Sequence, residues 1–123
     1  MTVLSQNLRG TAHYLVSEAS GYRSREQIVV ASGSGKLDAG TVLGRVTASK
    51  KFVPFDPAAT NGAEVAAAVL YEACDATDQD VRRTVTARHA EVHADVLVWG
   101  GTVTDAQKTT ALTQLAGLGI AAR

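Results

Sequence analysis

The stretch Val81-Arg82-Arg83-Thr84-Val85-Thr86-Ala87-Arg88-His89-Ala90-Glu91-Val92-His93-Ala94-Asp95-Val96-Leu97-Val98 decides how this chain folds. Apolar residues first take odd positions, at Val81, Val85 and Ala87, and then even ones, at Ala90, Val92, Ala94, Val96 and Val98. Side chains of a strand alternate between two faces, so a period of two reads as β structure. A one-residue change of phase turns every later side chain to the other face. That predicts a β-bulge or a sharp corner near Arg88 and His89.

Working upstream, the chain continues as short strands joined by turn chemistry. Ile28, Val29, Val30 and Ala31 form one strand, broken at Gly33 and Gly35, and residues 41–47 form a second after the Asp38-Ala39-Gly40 turn. Gly40 and Gly44 mark a tight turn and a place where the backbone bends or another chain comes close. Phe52-Val53-Pro54-Phe55-Asp56-Pro57 holds both phenylalanines and both prolines, and proline cannot donate to a ladder, so this segment is expected at an edge. Thr60-Asn61-Gly62 signals a turn. In the run 64–74, small or apolar residues occupy both faces, and the flanking turns and β-branched residues favour a buried strand over a helix. Asp75, Asp78 and Asp80 then mark an acidic loop.

Downstream, Thr104-Asp105-Ala106-Gln107 has the form of a capping box, with Ala111, Leu112 and Leu115 as the apolar stripe and Gly117 or Gly119 as the stop. The last element is therefore expected to be helical. Residues 1–25 show no sustained period and read as an extended arm, leaving 26–123 as the folded domain. The fold class is mainly β, a small β domain with a short C-terminal helix and an extended N-terminal arm.

Composition narrows the function. The 123 residues are 46% hydrophobic and 20% charged, with twelve basic residues against twelve acidic ones, which fits one soluble globular domain. No block of like charge supplies the footprint of a nucleic-acid binder. Cys74 is the single cysteine, so no intramolecular disulfide forms, and its apolar setting suits a buried thiol in a reducing cytosol. The first residues lack the basic cluster and apolar run of a signal peptide, and no stretch approaches the ~20 apolar residues of a membrane span.

The motifs that could carry chemistry are weak. His89, Glu91, His93 and Asp95 do not follow the zinc-protease order, and on a strand the two histidines would stand roughly 13 Å apart, too far to share one metal ion. Gly33-Ser34-Gly35-Lys36 has the outline of a phosphate loop, yet Leu37 stands where a hydroxyl should bind magnesium, and a hairpin turn explains the residues better. No GxSxG elbow is present, and apolar surroundings raise rather than lower the pKa of a thiol such as Cys74. Catalytic, cofactor and metal residues are therefore assigned to none. Trp99, the only tryptophan, reads as a core anchor or a subunit contact.

Several stretches taken together carry a resemblance. They are Ser24-Arg25-Glu26-Gln27, Leu37-Asp38-Ala39-Gly40-Thr41-Val42-Leu43-Gly44, Phe52-Val53-Pro54-Phe55-Asp56-Pro57-Ala58-Ala59-Thr60-Asn61-Gly62, Leu70-Tyr71-Glu72-Ala73, and Glu91-Val92 through Trp99. In this order and at this length they resemble the lambda-like head decoration proteins of tailed phages, over nearly the whole chain after the arm. The resemblance implies a β-clip type domain, a homotrimer, and a place on the outer surface of the expanded capsid at three-fold positions, after synthesis in the host cytoplasm. It implies the major capsid protein as partner, with no direct nucleic acid and no membrane, and reinforcement against packaged-DNA pressure as the function. The family's arm orders on the capsid and adds a strand to a neighbouring major capsid protein. Carried over, that makes Tyr14, Leu15, Val16, Tyr22, Arg23 and Arg25 the candidate capsid-binding residues. Two rivals stand beside this reading, a virion adaptor or tail subunit, and a trimeric β-clip enzyme or ligand binder with Asp75, Asp78 and Asp80 at its site.

Overall fold

The structure is a computed structural model that describes residues 11–19 and 23–123. Its strands are β1 Leu15–Glu18, β2 Arg25–Val30, β3 Gly35–Leu37, β4 Val42–Arg45, β5 Phe52–Pro54, β6 Ala66–Leu70, β7 Cys74–Ala76, β8 Val81–Thr86, β9 Ala90–Val92 and β10 Ile120–Ala122, with one helix, α1 Asp105–Gly117, between the last two. The protein is mainly β, and this β-rich architecture fits the β-clip type.

Five strands close into a barrel in the order β2-β5-β4-β6-β8. Its longest seam joins β2 to β8 antiparallel, from Arg25↔Thr86 to Val30↔Val81. Ile28, Val30, Leu43, Phe52, Ala68, Leu70, Cys74, Ala76 and Val85 form the core on this side. The ring closes at its narrowest seam, between β2 and β5, through the single pair Val30↔Phe52.

The phase change read from the sequence is the corner where the chain leaves the barrel. β8 stops at Thr86, His89 takes a left-handed φ of 52°, and β9 begins at Ala90 in a different sheet. Val85 thus faces the barrel core, whereas Val92 faces a second core. That second core holds Tyr14, Val42, Phe55, Ala66, Val69, Val92, Leu97, Ala111, Leu115 and Ile120, and lies under the three-stranded sheet β1-β9-β10 and α1.

Four details differ from the sequence reading. The alternation after Ala90 is strand only to Val92, since Ala94–Val96 is a single 3-10 turn. β5 lies between β2 and β4 rather than at an edge, but it meets β2 at the single pair Val30↔Phe52. Pro54 sits past that contact, where its missing N–H removes no bond to β2. Asp75 belongs to β7, opposite Lys36 of β3, so the loop begins after it. The helix is also not the last element: Gly119, at φ 85°, turns the chain into β10, which pairs parallel to β9. A three-residue strand is too short to show a period.

Other features follow the sequence. The capping box is complete, with the Gln107 N–H donating to Thr104 Oγ1 at 3.3 Å and the Thr104 N–H donating to Gln107 Oε1 at 2.8 Å. Gly44 is a place of close approach, within one chain: a Cβ there would stand 2.5 Å from the Ala63 carbonyl oxygen. β6 is buried on both faces over most of its length, and its Ala66 N–H donates to Gln114 Oε1 of α1 at 2.8 Å.

Candidate functional site

The residues assigned to an arm do not share one environment. Tyr14 is fully buried in the second core, and its hydroxyl meets Thr86 Oγ1 of β8 at 2.5 Å. Burial pushes the phenol well above its ordinary pKa, so it stays protonated. Leu15 packs against the same core. The register with β9 shifts between Leu15 and Ser17, and Val16 within that irregularity is 42% exposed. Arg25 holds Glu18 through two nitrogens, Nη2 to Oε1 and Nε to Oε2 at 3.2 Å, and its guanidinium lies 4.4 Å over the Tyr71 ring. Arg23 is exposed, and its carbonyl accepts from Arg88 Nη1 at 3.0 Å. Tyr22 lies outside the described residues.

Residues 11–19 and 23–25 are therefore fastened to the body, within the span 1–25 that the sequence reads as an arm. A buried aromatic and a three-residue alternation give no period, so the sequence pattern could not separate a strapped segment from a loose one. Residues 1–10 and 20–22, the rest of the predicted arm, lie outside the described residues.

The register of the small sheet brings the two ends of the described chain together. Leu15 of β1 and Ala122 of β10 both stand opposite Val92 of β9, one on each side. With strands ~4.8 Å apart, the incoming and outgoing chains leave the same end of this sheet about 10 Å from each other. Across its middle stand Ser17, Glu91 and Ala121, and Arg123, just past β10, places Nη2 3.0 Å from Glu91 Oε1, a contact that holds Glu91 below the usual carboxylate range. β1 and β10 each have one neighbour among the described residues, so each presents an outer edge of backbone donors and acceptors. This C-terminal strand was missed by the sequence reading, yet it helps to define the site.

Trp99 is partly buried at the rim of the second core, edge-on to Phe55 with ring centroids 6.1 Å apart at 77°. His89 and His93 are both exposed, on either side of β9. Among the described residues no three His, Cys, Asp or Glu side chains gather where one metal ion could sit, and no helix is long and apolar enough to cross a membrane. Cys74 is buried, and burial raises its thiol pKa, the reverse of an activated nucleophile.

A family model described as Bacteriophage lambda head decoration protein D matches residues 3–120, from the predicted arm through to the first residue of β10. The chain belongs to the head decoration protein D family. Comparison with curated proteins gives no match. Membership makes this a capsid decoration protein, a structural component of the phage head that associates with the capsid in the virion. Within this head decoration protein, the match spans the barrel and most of the sheet β1-β9-β10.

Proposed function

We propose that the protein binds the outside of the expanded phage head as a homotrimer at three-fold positions and stabilises the shell against the pressure of packaged DNA. It meets the major capsid protein through residues 1–10 and the outer edge of β1, where Val16 is the exposed apolar contact. The observation that carries this reading is the strand β1 itself, whose root is fixed by Tyr14 and by the Glu18–Arg25 pair while its outer edge stays open among the described residues. An open edge accepts an extended segment by strand addition, with backbone bonds supplying affinity and alternate side chains supplying register. A fixed root holds that edge in place, so docking costs little ordering of the body.

Three such edges on one trimer reinforce each other. Once the first is docked, the others bind at high effective concentration, giving avidity gains of order a hundredfold or more. A ligand that binds only the expanded shell stabilises that shell by mass action, by about 2.7 kcal/mol per site at a hundred times the dissociation constant. Binding alone suffices for this, and the proposed mode of action involves no catalytic step, cofactor, nucleic acid or membrane.

The test is co-sedimentation with expanded, undecorated heads, using unexpanded procapsids as control. The protein should bind the expanded heads saturably and the procapsids not at all, and both the chain lacking residues 1–10 and Val16→Asp should bind weakly while staying folded. A folded protein that binds neither particle would overturn the reading.

A further inference from the structure

We propose that the Asn61-Gly62 turn is a self-modifying site, at which the Asn61 side chain cyclises onto the Gly62 backbone nitrogen and then opens to aspartate or isoaspartate. This goes beyond the shell-binding reading and does not depend on it. The turn lies in the connection between β5 and β6, with Asn61 exposed. Three features around it bear on the reaction. The Gly62 N–H, which must lose its proton to become a nucleophile, donates to Glu64 Oε2 at 2.8 Å. The Asn61 side-chain carbonyl, which must accept the electrons of the attack, is held through Oδ1 by the Ala63 N–H at 3.1 Å. Residue 62 has no side chain to obstruct ring closure, and its φ of 111° is one that glycine tolerates.

A base in hydrogen-bond contact with the proton to be removed, and a donor on the oxygen where charge develops, are the two aids an acyl transfer uses. The step balances without any redox partner. The Gly62 N–H proton passes to Glu64, and the nitrogen forms a bond to Asn61 Cγ while negative charge moves to Oδ1. The tetrahedral intermediate then collapses, Nδ2 takes a proton from the Glu64 carboxylic acid, and ammonia leaves. A five-membered succinimide remains. Water opens it at either carbonyl, giving aspartate or an isoaspartate whose main chain runs through the former side chain.

The surroundings hold the reactants together and also make the outcome matter. The Asn61 carbonyl accepts from the Thr47 N–H at 2.8 Å, and a Cβ built on Gly62 would overlap the Arg45 carbonyl oxygen and crowd the Thr47 backbone. The turn is thus pressed against the end of β4, a restraint that favours reaction over free sampling. Isoaspartate inserts an extra main-chain atom at this crowded point, so the product turn must rearrange where it packs against the end of β4.

The test follows the Asn61 peptide by mass spectrometry, with enzymatic methylation of isoaspartate as a second readout, while the full chain is held at neutral pH. Native protein should convert faster than the same chain unfolded in urea, and Glu64→Gln, which keeps an acceptor for the Gly62 N–H but is a far weaker base, should convert at least about tenfold more slowly, the low end of general-base assistance being ~100-fold. A turn that merely orders the amide would protect it instead. Conversion that is faster in urea, an unchanged rate in Glu64→Gln, or an Asn61 that stays intact would each overturn the proposal. If Glu64→Gln does not fold, the native-against-urea comparison still decides.

Discussion

The barrel and the three-stranded sheet are built from opposite kinds of sequence. All five barrel strands lie between Arg25 and Thr86, and they close on one another in a ring. The sheet gathers Leu15–Glu18, Ala90–Val92 and Ile120–Ala122 from the two ends and the middle of the described chain, and keeps two edges open among the described residues. Both regions rest on pairing between distant residues, β2 with β8 in the barrel and β1 with β9 in the sheet, but each barrel strand has a neighbour on both sides while β1 and β10 have one among the described residues. The proposed docking edge lies in the region left open, where an added strand has something to pair with.

The largest effect that would break this comparison comes from shortening the chain. Removing residues 1–10 should leave the urea midpoint nearly unchanged, whereas removing residues 1–19 deletes β1 and Tyr14 and should cost more than any single substitution. If both truncations melt alike, β1 does not belong to the body. Next in size is Tyr14→Ala, which empties a fully buried aromatic site and should cost about 3–5 kcal/mol in urea denaturation. Because Tyr14 also reaches Thr86 of β8, the variant separates the two regions as well as weakening one. Trp99 fluorescence, reporting on the sheet-side core, should then change at lower urea than the circular dichroism of the barrel. Coincident transitions would show that the two cores still unfold as one.

A smaller effect, confined to the sheet side, should come from Thr104→Ala. Thr104 and Gln107 satisfy each other's backbone at the start of α1, and losing the cap should cost about 1 kcal/mol. Since α1 supplies Ala111 and Leu115 to the second core, the loss should appear in the Trp99 signal. An unchanged midpoint would mean that the helix start frays without consequence.

How far these regions were legible differs in the same way. The corner at Arg88 and His89 could be read because one methyl-bearing face changes sides, a signal that needs only the period of the strand. The capping box was legible because its two partners are three residues apart. By contrast, β1 and β10 are held by pairing with β9, whose partners lie about 70 and 30 positions away in sequence, and no local pattern carries that information. Tyr14 looked like a scattered apolar residue of a tail because its burial depends on Val92, Leu115 and Ile120 arriving from elsewhere. Of the candidate residues that are described, Val16 alone combines exposure with a position on the open strand, while Arg25 turns inward to Glu18 and Tyr71.

The last and smallest test concerns the Glu18–Arg25 pair, which ties the end of β1 to the start of β2 and so joins sheet to barrel. The Arg25 guanidinium, with help from Ser24, holds the Glu18 carboxyl below its ordinary value of 4.5. A carboxylate whose folded pKa is depressed contributes stability that is fully present above the unfolded value and is lost as pH falls through the folded one, because the unfolded chain binds the proton first. Glu18→Gln cannot titrate, so between neutral pH and the acid limb its midpoint should fall less than that of the wild type. The difference should be no more than about 1 kcal/mol, since the pair is partly reached by water. Parallel acid limbs for the two proteins would mean that the clamp adds nothing beyond geometry, and that the sheet hangs on the barrel through Tyr14 and the β8–β9 corner instead.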